Sequence, residues 1–224
     1  MTWNQKQFIY PYTYQDRRPL IADRVLFIPS YYPTHHLFQR PAWDSMELFG
    51  NKQPIHVEFC SGNGEWIIDK AMKNPDVNFI ACEIKFYRVR KIWVKIKQLN
   101  LPNVIIAFGD ANDFIRYYLQ ADEVDAIAIN FPDPWPKEKH AKNRLIVAPF
   151  IAEMKRVIKP KGDVVIVSDH EDYCNQIIED MQQLLTPRLP APYYIEETVE
   201  YGTSYFYRYF KEQGKKIRMM VFEK

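Results

Sequence analysis

Five short apolar runs recur between residues 55 and 169, and each is followed by a stretch of helical character. IHVEFC (55–60) precedes a helix expected from Gly64 to about Lys73, and VNFIACEI (77–84) precedes one from about Phe86 to Leu99. VIIAFGD (104–110) leads into Ala111–Leu119, DAIAINF (125–131) into about Ile146–Ile158, and DVVIVSD (163–169) into about Glu171–Leu185. Runs so short and so nearly unbroken fit strands buried on both faces. Their alternation with helices implies a parallel sheet with right-handed crossovers. Two closing strands, near Tyr193–Val199 and Lys215–Glu223, are expected to form an antiparallel hairpin at one edge. Residues 1–50, rich in Tyr, Pro, Phe and Arg but without periodicity, read as an irregular N-terminal arm with room for a short strand at Arg24–Ile28. Residues 51–224 read as the α/β domain.

Bulk properties narrow the function classes. Charge is nearly balanced, at +2, so any nucleic-acid contact must come from local basic patches. Three scattered cysteines (Cys60, Cys82, Cys174) argue against a disulfide framework or a zinc site; no metal is expected. The N-terminus lacks a signal-peptide core and no apolar run reaches membrane-spanning length, so a soluble, cytoplasmic protein is expected.

Open α/β sheets bind ligands beyond the carboxyl ends of their strands. The first strand ends in Glu58-Phe59-Cys60-Ser61-Gly62-Asn63-Gly64-Glu65, where Gly62 and Gly64 permit a tight turn and close approach to a ligand. The second ends in Glu83, placed after the glycines as ribose-binding acids are; the third ends in Asp110, either an acceptor for an adenine amine or a helix cap. A pyrophosphate is disfavoured, because the third fingerprint glycine is Ile67 and the Glu65 carboxylate would repel phosphates from the helix N-terminus. This disfavours a dehydrogenase and favours a nucleoside that carries positive charge. S-adenosyl-L-methionine has that chemistry.

These strand ends, with Phe131-Pro-Asp-Pro-Trp135, Lys137, His140 and Ser168-Asp169-His170-Glu171-Asp172-Tyr173, resemble the bacterial tRNA (guanine-N7-)-methyltransferase family. The resemblance covers roughly Val57–Met181 and resumes at Gly202–Ile217. It implies a Rossmann-like class I methyltransferase fold: a seven-stranded, mostly parallel sheet with helices on both faces and the C-terminal hairpin. It implies methyl transfer from S-adenosyl-L-methionine to N7 of the variable-loop guanosine at tRNA position 46. Glu58, Gly62, Gly64, Glu83, Asp110 and Asp133 would bind the cofactor, with Asp133 also catalytic. Lys137, Asp169 and the segment Thr203, Ser204, Tyr205, Phe206 would bind substrate; Lys139, His140, Lys142 and Arg144 would contact RNA. The partner is then tRNA, with no membrane and no obligatory protein partner, and the enzyme is a monomer or homodimer. The chain departs from the family twice: Cys60 stands where a glycine is usual, and Phe206 replaces the Glu of a T-x-x-E motif.

Guanine N7 has an in-plane lone pair and no proton, so its methylation needs orientation and compensation of developing positive charge, not a base. Asp133, on backbone stiffened by Pro132 and Pro134, suits that role. Trp135 is either a stacking partner for the base or a packing residue. The helix after Glu83 carries Lys85, Arg88, Arg90, Lys91, Lys95 and Lys97 against an apolar stripe of Val89, Ile92, Trp93, Ile96 and Leu99; its one-sign face is expected to meet RNA. Arg17, Arg18, Arg24 and Arg40 make the arm a third expected contact. Two alternatives remain. An exocyclic-amine methyltransferase would need an Asp/Asn-Pro-Pro-aromatic motif, with which Asn130-Phe131-Pro132-Asp133 is out of register. A non-catalytic RNA-binding relative is opposed by the intact carboxylates.

Overall fold

Side-chain alternation along the strands sorts the apolar residues into layers on either face of a sheet. The computed structural model describes residues 3–196, 201–202 and 204–224, so Thr203 and the end of the expected strand 193–199 lie outside the described residues. The chain divides into two compact units, Met1–Leu119 and Gln120–Lys224.

In the first unit, β1 (Leu20–Ala22), β2 (Val25–Phe27), β3 (Ile55–Phe59), β4 (Asn78–Glu83) and β5 (Val104–Phe108) line up in the order β1-β2-β5-β4-β3. All neighbours are parallel except β1, which turns back on β2. Helices α1 (Glu65–Lys73) and α2 (Phe86–Leu99) share one apolar layer with Phe79 and Ala81 of β4 and Val104 and Ile106 of β5. On the other side, Phe59 of β3 meets Phe114 of α3 (Ala111–Tyr117) with ring centroids 6.0 Å apart. Of the expected α2 stripe, Val89, Ile92, Trp93 and Ile96 are buried, whereas Leu99, in the last turn, is 47% exposed. Burying each such side chain is worth about 1.5–3 kcal/mol, so this stripe anchors the helix without help from its polar face.

The arm meets part of that polar face and the edge of the stripe. Arg90 Nε donates to the Phe8 carbonyl at 3.1 Å, and Trp93 Nε1 donates to the Asp23 carboxylate at 3.0 Å. Lys97 forms an ion pair with Asp23 and lies 5.3 Å over the Trp3 ring. Phe8 joins the α1/α2 core and β2 extends the sheet beside β5, so the arm is an integral layer of this unit. Two of the six basic residues of the helix face expected to meet RNA, Arg90 and Lys97, thus have partners in the arm. Two arm arginines serve the backbone as well. Arg24 donates to the carbonyls of Leu48 (2.9 Å), Val104 (3.2 Å) and Pro102, and Arg40 to that of Tyr118 (2.6 Å).

The second unit is built from β6 (Val124–Asn130), β7 (Ile158–Ser168), β8 (Thr186–Pro187), β9 (Ile195–Glu196) and β10 (Arg218–Glu223), with α4 (Ala148–Val157), α5 (Glu171–Gln182) and α6 (Tyr205–Glu212). Strands β6 and β7 are parallel; β10 runs antiparallel to β7, β8 and β9. The antiparallel edge was expected, but Ile195 and Glu196 reach Met219 and Arg218 across a helix, α6, that the sequence pattern did not suggest. Strand β7 also starts earlier than expected, at Ile158, with a register shift against β6 between Val124 and Ala126. Pro160 prevents α4 from running on, and Lys161 at φ +66° turns the chain back into the ladder. Ten strands are found among the described residues, against seven expected in the sheet of the α/β domain; β2 falls within the short arm strand anticipated at Arg24–Ile28, and β1 and β8 are the additions. The mixed α/β class is as anticipated. No helix among the described residues is long and apolar enough to cross a membrane.

One buried cluster in the first unit titrates. His35, 4% exposed, bonds through Nδ1 to the Tyr118 hydroxyl at 2.6 Å, and its Nε2 lies 3.6 Å from Asp113. Burial holds its imidazole below the usual histidine value, with Asp113 opposing the shift. A histidine depressed in the folded state leaves the unfolded chain to bind the proton first. Stability is therefore full above about pH 6.5 and is lost as pH falls toward the folded value. Asp113, raised mainly by burial, works in the opposite sense at more acidic pH. Urea denaturation at pH 7 and 5.5 is expected to show a loss of stability on acidification that is reduced in His35→Gln.

Candidate functional site

The carboxyl ends of β3, β4 and β5 form one cradle in the first unit. After β3 the chain passes through Cys60 (φ +60°), Gly62 (φ +56°) and Gly64 (φ +71°) before α1 begins at Glu65. Gly64 is required twice over: its φ is left-handed, and a Cβ would stand 2.6 Å from Ile92 Cγ1. The turn is pinned by Ser61 N–H to the Cys82 carbonyl (3.1 Å), Ser61 Oγ–H to the Glu58 carbonyl (2.9 Å) and Gly64 N–H to the Ser61 carbonyl (2.8 Å). Lys95 Nζ donates to the Asn63 carbonyl at 2.7 Å.

Glu83 ends β4 and is 4% exposed. Its carboxylate accepts the Gly62 N–H through Oε2 and the Lys85 N–H through Oε1, each at 2.8 Å, with Arg88 Nη1 3.6 Å away. Glu58, 2% exposed, stands in register with Ala81 on β4. Asp110 is the N-cap of α3, and its Oδ1 accepts from Asn112 N–H (2.8 Å) and Asp113 N–H (3.4 Å). Both capping bonds fall on Oδ1, so the cap makes no use of Oδ2. Glu58, Gly62, Gly64, Glu83 and Asp110 therefore come together at adjoining strand ends, as the sequence suggested.

Cys60 adopts the left-handed geometry that a glycine would adopt without strain. Burial and the Glu83 and Glu58 carboxylates push its thiol up to about 12, so it stays protonated and unreactive.

A cavity of about 490 Å³ opens at the same edge, between the β4 and β5 ends (Ile84, Phe108, Gly109) and the arm (Tyr10, Tyr12, Tyr31). Tyr10 stacks on Phe86 at 4.2 Å and 11°. Sequence reasoning missed the arm's part in this wall. The alternate spacing of Tyr10, Tyr12 and Tyr14 was the available signal.

In the second unit, β6 delivers the proline corner. Phe131 takes φ +49° while its N–H bonds the Val167 carbonyl at 2.8 Å. Asp133 is exposed, and its Oδ1 accepts the Trp135 N–H at 3.1 Å, a two-residue turn that orients the carboxylate. Trp135 packs on His140 with ring centroids 5.8 Å apart and takes no part in the buried core. Lys137, Lys139 and Lys142 are exposed around the short 3-10 helix Glu138–Asn143. Arg144, expected to contact RNA, instead braces the corner: Nε donates to the Pro134 carbonyl at 2.8 Å, Nη1 to Gln176, and the guanidinium lies 5.1 Å over the Tyr173 ring.

The remaining candidates have structural partners too. Asp169 is not the cap of α5; His170 is, accepting Tyr173 N–H at 3.3 Å, and Asp169 pairs with Lys215. Ser204 caps α6, accepting Tyr207 N–H at 3.2 Å and the Tyr201 hydroxyl at 3.0 Å. Tyr205 is exposed. Phe206 lies 6.3 Å from the Phe131 ring and 6.0 Å from that of Phe210, so a ring replaces the family's carboxylate and joins an aromatic cluster under the corner. Thr203 lies outside the described residues.

Among solved structures, the fold is similar to an antibiotic-related methyltransferase (16% identity, TM-score 0.59, covering 79% of this chain and 89% of that one). It is also similar to precorrin-6y C5,15-methyltransferase of Geobacter metallireducens (14% identity, TM-score 0.55, 78% and 82%). Residues 52–219 match the family model described as a putative methyltransferase. That match, over most of the chain, makes the protein a methyltransferase. Over 214 residues the chain is 42% identical to the tRNA (guanine-N(7)-)-methyltransferase of Chlamydia abortus, covering 96% of this chain and 95% of that protein. It is 32% identical to the one from Geobacillus thermodenitrificans, over 74% and 76%. The chain belongs to the tRNA (guanine-N(7)-)-methyltransferase family.

The left-handed Cys60 yields a stability test. Cys60→Gly is expected to stay within about 1 kcal/mol of the parent, since relief of strain offsets the added unfolded-state entropy. Cys60→Val, β-branched at positive φ, is expected to cost about 2 kcal/mol or more in denaturant melts.

Proposed function

We propose that this protein transfers a methyl group from S-adenosyl-L-methionine to N7 of the guanosine at position 46 of the tRNA variable loop, acting in the cytoplasm. The observation that carries the reading is the buried Glu83 carboxylate fastened to the Gly62 turn. With Glu58, Glu65 and Asp110 around the same loop, this turn is hostile to phosphates and suited to a nucleoside bearing a cation. The family supports methylation at guanine N7 in tRNA, because relatives such as the Chlamydia abortus protein are named for it.

S-adenosyl-L-methionine supplies an electrophilic methyl group on a positively charged sulfur. Glu83 would accept hydrogen bonds from ribose hydroxyls, Asp110 would accept one from the adenine amine, and Ile84 and Phe108 would wall the adenine ring. Gly62 and Gly64 let the backbone approach, and Glu58 adds negative potential near the cation. Guanine N7 carries no proton, so no residue need act as a base. Asp133 orients the base and compensates the positive charge that develops on the purine. Asp169 accepts from the guanine N1 and N2 donors, for which Lys215 must release it. Lys137, with Lys139, His140 and Lys142, holds phosphates. Ser204 and Tyr205 line the approach, and Phe206 supports them by packing.

Unmodified tRNA incubated with labelled cofactor is expected to carry the label at one variable-loop guanosine, mapped by chemical cleavage at N7-methylguanosine. Label on another base would overturn the reading. Asp133→Asn is expected to lower single-turnover methylation by roughly 100-fold or more with an unchanged melting curve. Replacing Lys137, Lys139 and Lys142 together by Gln should flatten the log–log salt dependence of tRNA binding, by up to about 0.9 for each phosphate no longer neutralised. An unaltered slope would remove those lysines from the interface.

A further inference from the structure

Helix α6 (Tyr205–Glu212), capped by Ser204, is five-eighths aromatic, yet none of its residues is buried. One side is explained. Phe206 and Phe210 stack on each other at 6.0 Å and meet Phe131 beneath, at 6.3 and 5.5 Å. The other side is not. Tyr205 and Tyr209, one turn apart, hold their rings nearly parallel (12°, centroids 6.0 Å apart), and they are 46% and 43% exposed. Two parallel tyrosines turned to water forgo burial that each would otherwise contribute.

The charges around them say what covers them. Residues 204–216 contain Arg208, Lys211, Lys215 and Lys216 against a single acid, Glu212. Cationic groups lie on the helix's own rings, Lys211 Nζ at 5.8 Å over Tyr207 and Lys215 Nζ at 4.4 Å over Phe210. Aromatic faces interleaved with cations fit a chain of flat bases linked by phosphates, where each base can stack and each phosphate finds a counter-charge. A second copy of this chain fits poorly, because a symmetric contact through α6 would set the same basic residues against themselves.

We propose that the outer face of α6, Tyr205 and Tyr209 flanked by Arg208, is a stacking platform for unpaired nucleotides of the tRNA that flank the target guanosine. It rests on the proposal that the substrate is tRNA. It extends that proposal to Tyr209 and to a stacking function for Tyr205. The platform stands one aromatic layer from the proline corner: the inner rings of α6 rest on Phe131, two residues before Asp133. A guanosine drawn out of a folded tRNA leaves its neighbours unstacked, and two exposed π-faces compensate them.

Unmodified tRNA, labelled with a fluorophore, is titrated with the full chain over a series of salt concentrations. The double variant Tyr205→Ala/Tyr209→Ala is expected to weaken binding roughly 10-fold or more at every salt concentration with an unchanged log–log slope, because stacking releases no counterions. The Tyr205→Phe/Tyr209→Phe pair keeps both π-faces and should bind within about 2-fold of the parent, whereas the Tyr→Leu pair keeps bulk without a π-face and should bind like the Ala pair. Cofactor affinity without RNA and the melting temperature serve as fold controls. Parent-like binding by both the Ala and the Leu pairs overturns the platform. So does a concentration-dependent dimer of the parent, seen by sedimentation, that the Ala pair abolishes. The two proposals fail separately. N7 methylation with unchanged Ala-pair binding removes the platform alone. Ala-pair loss of tRNA binding in an enzyme that marks another base leaves the platform and removes the N7 assignment.

Discussion

The candidate cofactor cradle depends on one buried carboxylate. Glu83 ends β4, yet it satisfies the Gly62 amide of the turn after β3 and the Lys85 amide that begins the approach to α2. A buried carboxylate needs such donors, and those amides would otherwise be left without partners by the tight turn. Strand pairing alone aligns β3 with β4, but the Glu83 bridge sets how the loop leaves β3. The left-handed residues Cys60, Gly62 and Gly64 are the backbone's answer to that constraint. Cys60 shows how strong it is: a non-glycine residue adopts the glycine conformation because the bonds on either side leave no other course.

A comparable economy holds in the second unit. The corner after β6 is stiffened by Pro132 and Pro134 and by the turn from Asp133 to the Trp135 amide. Arg144 ties the corner to α5 through Pro134, Gln176 and Tyr173, and Phe131 rests on the rings of Phe206 and Phe210. Phe206 is thus intelligible where a carboxylate is usual. It contributes to an apolar support. Asp169 and Lys215 form an ion pair on the same unit, and Lys215 lies over Phe210, so the polar and aromatic parts of this region are coupled.

The arm carries a lesson about charge. A helix face with six basic residues and no acid reads as an interface for a partner, but two of the six, Arg90 and Lys97, engage Phe8 and Asp23 of the arm, which also bonds the neighbouring Trp93 and Gln98. The partner lies some 70 to 95 residues away in sequence. No local pattern reports a contact of that separation. Arg24 and Arg40 mislead for the same reason, since their acceptors are backbone carbonyls that any sequence would supply.

What the sequence determined by itself is what short-range physics can encode. Apolar runs between helical stretches settled the parallel α/β class; glycines and acids at strand ends marked Glu58, Gly62, Gly64, Glu83 and Asp110; prolines around Asp133 marked the corner. Each of these signals lies within a few residues, where period, turn chemistry and capping act. Tertiary structure alone decided which charged groups remained for a partner. It turned Arg144 and Arg24 inward, assigned Ser204 and His170 to helix caps, and paired Asp169 with Lys215. It also made α6 a helix with one aromatic face packed on Phe131 and the other exposed. A side chain's charge is written in the sequence, but its partner is set by which strands and helices come together, and that is a property of the whole fold.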